Sequence, residues 1–121
     1  MDGARVGIFE DRKVWHEFLA EIVEEDGHSV AVSANSMEEA RAAIEGLEDG
    51  TLDVAVVDGS LDPNKDNGAD GAEITRLLRE KLGTVTVIGF SASNEVAGVD
   101  HNVSKDSGDP EEEILAIIAR I

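Results

Sequence analysis

The chain has 121 residues, enough to bury one core without staples and too few for two domains of ordinary size, so residues 1–121 are read as a single domain. Its 27 acidic residues against 10 basic ones give a net charge of −17, a surface that repels nucleic-acid phosphates and anionic membranes. It has no cysteine, which excludes disulfide frameworks and thiolate metal sites.

In chain order, strand-like apolar runs are predicted at Arg5 to Phe9, Ser29 to Ser33, Val54 to Val57, Val85 to Phe90 and Val99 to Ser104. Helical spacing fills the intervals. Val14 to Glu25 places Val14, Phe18, Leu19 and Ile22 on one face and ends at Gly27, a residue suited to a left-handed cap. Ser36 followed by Glu39 forms a capping-box signature for a helix reaching about Leu47. A third helix is predicted from about Gly71 to Leu82, with Asp70 as N-cap and Ile74, Leu77 and Leu78 inward. The last starts at N-cap Asp109, with Pro110 at its first position and three glutamates facing the positive helix end.

Alternating strands and helices, with strands that are apolar runs rather than alternations, predict a doubly wound α/β domain with a five-stranded parallel sheet. No stretch approaches the roughly 20 apolar residues that span a bilayer. The N-terminus does not resemble a signal peptide, and a cytoplasmic location is expected.

Ligands of such sheets gather beyond the carboxyl ends of the strands. There the first strand delivers Glu10 and Asp11, the third Asp58, the fourth Ser91 and the fifth Lys105. Three carboxylates that converge repel one another and require a cation, and oxygen-only ligands of this kind suit magnesium. His16, His28 and His101 are scattered and predicted to lie at the surface.

These residues, within "IFED", "VAVVDGS", "VIGFSA" and "VSKD", resemble the CheY-like receiver domains of two-component response regulators over essentially the whole chain. The resemblance implies a flavodoxin-like fold with strand order 2-1-3-4-5. It implies that Asp58 takes a phosphoryl group from a histidine kinase or phosphotransfer protein and that partner binding then changes. Asp11 and Asp58 would bind magnesium, with Glu10 beside them and the Ser60 carbonyl as a further donor. Ser91 would hydrogen-bond the phosphoryl group and Lys105 would pair with it. A phosphate-independent pseudo-receiver module and a small phosphatase with an aspartate nucleophile are the alternatives. The second lacks an obvious general acid near Asp58 and any Gly-rich phosphate loop, so no turnover enzyme is expected.

Three features depart from the family pattern. Asp106 follows Lys105 where proline is usual, and Asn102 stands three residues before the lysine where an aromatic switch residue is usual. Only fourteen positions separate Ser91 from Lys105, so Ser93 to Gly98 should form a short helical stub or an irregular loop, with an altered partner surface. The loop after Asp58 also sets Asp62, Asn64, Asp66, Gly68, Asp70 and Glu73 at the positions of a calcium loop, but Asn67 occupies the place that demands glycine. A mobile acidic insertion without a tight calcium site is expected.

At about 1 M salt the screening length falls to roughly 3 Å, so the acidic excess fits a halophilic setting. The melting temperature should rise steadily with sodium or potassium chloride from dilute buffer to molar levels, as read by calorimetry. A flat profile would reject salt adaptation while leaving the fold assignment untouched.

Overall fold

The computed structural model describes residues 3–59, 61, 69–92 and 95–121. Its elements are β1 (Arg5–Phe9), α1 (Lys13–Glu25), β2 (Ser29–Ala34), α2 (Met37–Glu45), β3 (Val54–Val57), α3 (Ala69–Lys81), β4 (Thr86–Ser91), β5 (His101–Ser104) and α4 (Pro110–Ile118). The strands form one sheet in the order β2-β1-β3-β4-β5, and every neighbouring pair is parallel. No described helix is long and apolar enough to cross a membrane.

Successive strand residues point to opposite faces, and helices cover both, which is why β3 is apolar at every position and fully buried. Val6, Ile8, Val54, Val56, Ile88 and Phe90 pack with Leu19, Ile22 and Val23 of α1 and with Ile114 and Ile118 of α4. On the opposite face Phe9, Ala55, Val57 and Val87 meet Ala40 and Ile44 of α2 and Ile74 and Leu78 of α3. The two cores are separate clusters on either side of the same strands.

Local signals read from the sequence recur as hydrogen bonds. Ser36 accepts from the Glu39 amide, Asp109 accepts from the Glu112 amide, and Gly27 turns the chain after α1 with φ +89°. Other expectations are corrected. Val14 is 70% exposed, and the inward face of α1 instead begins at Trp15, three and four residues before Phe18 and Leu19. Helix α3 starts at Ala69, so Asp70 sits within its first turn and accepts from the Leu61 amide rather than capping the helix.

The interval between β4 and β5 holds no helix among its described residues. Val96 is buried there, and the side-chain amide of Asn102 takes both of its backbone groups. The Val96 N–H donates to Oδ1 at 2.8 Å, and Nδ2 donates to the Val96 carbonyl at 3.3 Å. A side chain thus supplies the hydrogen bonds a helix would have made. Strand β5 begins at His101 rather than Val99, because Gly98, with φ +84°, turns the chain just before it.

Val96 fits because two facing residues lack side chains. A Cβ at Gly89 would lie 2.9 Å from Val96 and 2.5 Å from Asn102 Oδ1; one at Gly71 would lie 2.9 Å from Val96 and 2.7 Å from the Asp58 carbonyl. Gly71→Ala should therefore destabilise the protein by about 1–3 kcal/mol in urea denaturation, despite alanine's advantage of about 1 kcal/mol within a helix. Gly108→Ala, with open space around the position, should stay within about 0.5 kcal/mol of the wild type.

Candidate functional site

The parallel ladder brings the ends of β1 and β3 together. Beyond the last paired residues, Phe9 and Val57, the Asp58 amide donates to the Phe9 carbonyl at 2.9 Å and the Glu10 amide to the Ala34 carbonyl at 3.1 Å. The first side chains outside the sheet are therefore carboxylates, and three of them meet. Glu10, Asp11 and Asp58 each offer an oxygen within 4.8 Å of the others. Glu10 is 1% exposed and Asp58 8%, while Asp11 is half-buried.

Lys105 reaches this group from the end of β5. Its backbone amide donates to the Ser91 carbonyl at 3.1 Å, which fixes where the side chain departs. Its Nζ lies 3.0 Å from Glu10 Oε2 and 3.3 Å from Asp58 Oδ2. The lysine side chain is almost completely buried, so the pairing is strong per contact and costly to form.

Charge remains unbalanced. Burial first, then repulsion from Asp58 only partly offset by Lys105, pushes the Glu10 carboxyl up to about 8. Asp11 is raised as well, again by burial first and then by Asp58. Glu10 Oε1 accepts from the Arg12 amide at 3.1 Å, whereas buried Oε2 faces the ammonium and receives no hydrogen bond among the described residues. A set of clustered carboxylate oxygens with one buried and incompletely satisfied fits a small hard cation.

Of the residues singled out from the sequence, Glu10, Asp11, Asp58 and Lys105 stand together, while Ser91 closes β4 opposite Ser104 in the ladder, its carbonyl accepting from the Lys105 amide. Ser60 lies outside the described residues. So do positions 62–68 of the calcium template, while Glu73 within that template is engaged by Arg76 and Arg41. The histidines were not all surface residues. His28 Nδ1 accepts from the Ala4 amide at 2.8 Å, and the half-buried ring of His16 bridges the Glu10 carbonyl and Ser33 Oγ. Trp15 was missed: the Lys105 ammonium lies 5.5 Å from its ring centroid and 5.5 Å from that of Phe90. The signal was present, since Trp15 fits the apolar spacing of α1 better than Val14 does.

No family model matches the sequence, and no curated protein matches it. Solved structures do. A two-component response regulator of the LuxR family from Aurantimonas sp. SI85-9A1 is 27% identical, with TM-score 0.72 over 98% of this chain and 84% of that one. The chain has the fold of a response-regulator receiver domain. Two further receivers share it. A response regulator from Burkholderia pseudomallei, solved with a phosphorylated aspartic acid, a calcium ion and citrate, is 20% identical, with TM-score 0.74 over 93% of this chain and 65% of that one. The complex of CheY6 with the phosphorylated P1 domain of CheA3 from R. sphaeroides matches at 17% identity and TM-score 0.69, covering 98% of each chain. In this chain the acidic group and the lysine occupy the sheet's carboxyl edge, where doubly wound folds bind ligands.

A raised carboxyl binds its proton more tightly when folded, so its stabilising effect is complete below the ordinary carboxylate range and is lost as pH rises toward about 8. In metal-free buffer the melting temperature should accordingly fall over that interval. Asp11→Asn, which removes one of the repelling charges, should raise it at neutral pH. A variant no more stable than the wild type would place the repulsion elsewhere.

Proposed function

We propose that the protein is the phosphoacceptor of a two-component signalling system. A histidine kinase or phosphotransfer protein delivers a phosphoryl group to Asp58, and the phosphorylated protein changes its affinity for a downstream protein. The observation that carries this reading is the buried Lys105 ammonium 3.3 Å from Asp58 Oδ2, with two further carboxylates converging on the same point.

In the transfer, an oxygen of Asp58 forms a bond to phosphorus as the bond from phosphorus to the donor's imidazole nitrogen breaks, and that nitrogen keeps the electron pair. Lys105 would pair with an oxygen of the arriving group and offset its charge. Ser91, at the end of β4, would donate its hydroxyl to another. Asp11, Asp58 and Glu10 would hold magnesium, which when bound supplies further charge neutralisation at the phosphoryl oxygens. The product acyl phosphate carries up to two negative charges where the carboxylate carried one, in a site already short of cations, and the neighbouring loops would rearrange to accommodate it. Each molecule accepts one phosphoryl group; this is a stoichiometric acceptor rather than a turnover enzyme.

The relatives support the reading in kind: one carries a phosphorylated aspartate with a divalent cation, and another is seen with the phosphorylated domain of a partner. The Asn102 clasp on Val96 favours a second reading, a module whose partner surface does not respond to phosphate, because Asn102 stands where the family resemblance places an aromatic switch.

Incubation with a small phosphodonor and magnesium, followed by intact mass measurement, should give an adduct of one phosphoryl group in the wild type and none in Asp58→Asn. An adduct persisting in that variant would overturn the assignment. Amide shifts confined to the vicinity of Asp58, with none at residues 95–104, would favour the second reading.

A further inference from the structure

The site holds a feature that neither carboxylate chemistry nor the receiver resemblance accounts for. A buried ammonium has three N–H donors and needs its direction fixed, and here aromatic rings as well as carboxylates surround it. The Lys105 Nζ lies over the ring of Trp15 and over the ring of Phe90, 5.5 Å from each centroid. The rings are themselves held. Trp15 meets Phe90 edge to face at 5.3 Å and 88°, and meets Phe18 edge to face at 5.6 Å and 87°. Phe90 is fully buried in the sheet and Phe18 packs against the same core. The aromatic wall is therefore anchored on α1 and β4, while the lysine comes from the end of β5.

We propose that Trp15 is a positioning residue for Lys105: its indole face, together with the ring of Phe90, holds the ammonium between Glu10 and Asp58, where it meets an arriving phosphoryl group. The role in transfer rests on the reading of Asp58 as phosphoacceptor; the positioning itself does not. The negative face of an aromatic ring attracts a desolvated cation, indole most strongly, without adding another group that competes for the proton or the metal. The two rings add an attraction whose direction is fixed, because the rings are themselves locked against one another and against the core. Trp15 makes and breaks no bond; it acts only through the lysine.

The test compares wild type, Trp15→Leu, Trp15→Phe, Lys105→Ala and the double variant Trp15→Leu/Lys105→Ala, each checked for folding by circular dichroism. The phosphodonor is phosphoramidate with magnesium, whose phosphorus–nitrogen bond breaks as Asp58 attacks. Trp15→Leu should slow adduct formation roughly tenfold, leave the half-saturating magnesium concentration unchanged, and be largely rescued by Trp15→Phe. In the Lys105→Ala background the same change should cost nothing further. A folded Trp15→Leu protein at the wild-type rate, or a loss that adds to that of Lys105→Ala, would overturn the proposal.

A second readout does not depend on phosphorylation. Ring currents should shift the Lys105 ε-methylene proton resonance upfield in the unmodified protein, and Trp15→Leu should reduce that shift to the part that Phe90 contributes. An unshifted resonance overturns the positioning. If the wild type forms no adduct, the phosphoacceptor reading fails by itself, and the resonance alone then decides whether Trp15 places the lysine.

Discussion

Two buried carboxylates share one buried ammonium in this protein, and most of its other features follow from making that arrangement tolerable. Glu10 and Asp58 sit side by side because parallel strands β1 and β3 end in register, and neither can move away without breaking the ladder behind it. Lys105, the cation that pairs with both, comes from the far edge of the sheet. Removing it would leave buried charge uncompensated, a larger loss than the pair's net contribution. The site is thus held under electrostatic tension by the backbone, and binding a cation or losing a proton partner changes its energy directly.

The sheet can bear this because most of its stability comes from apolar burial away from the site. Helices α1 and α4 close one apolar cluster and α2 and α3 the other, and both lie behind the strand ends. Burial of this kind is non-directional and has no charge to be screened, whereas the carboxylate group responds to pH and metal. The division of labour places the responsive chemistry at an edge and the passive stability in the middle. Aromatic rings link the two: Phe90 belongs to the core cluster and also faces the lysine.

The connection from β4 to β5 shows a different economy. Among the described residues of this connection, one valine is inserted between Gly71 and Gly89 and fastened by Asn102. Arg79 adds hydrogen bonds to the Gly98 carbonyl and to Asp100, whose carboxylate also accepts from the Val87 amide at 2.8 Å. Those contacts tie the segment to α3 and to β4. Its two ends are Ser91 and the strand leading to Lys105, so any rearrangement at the site pulls on both ends of a short and well-fastened chain.

The strands were legible in the sequence because burial on both faces forces unbroken apolar runs, and the helices because caps such as Ser36 and Asp109 are local hydrogen-bond chemistry. The site residues were legible for a related reason: a charge directly after such a run, as at Glu10 and Asp58, has to emerge at the sheet edge. What the sequence could not determine is which groups touch. Val14 and Trp15 are adjacent apolar residues, and a small rotation of α1 decides which of them is buried; packing against Phe18 and Phe90 settled it for the tryptophan. Asn102 read as a missing aromatic, and only the approach of Val96 made it a clasp. The pairing of Lys105 with two acids, and the ring faces beneath it, join residues from β1, α1, β3, β4 and the end of β5. Periodicity and capping act within a few residues along the chain, whereas contacts between elements so far apart in sequence exist only once the sheet has set their register and the core has fixed the helices upon it.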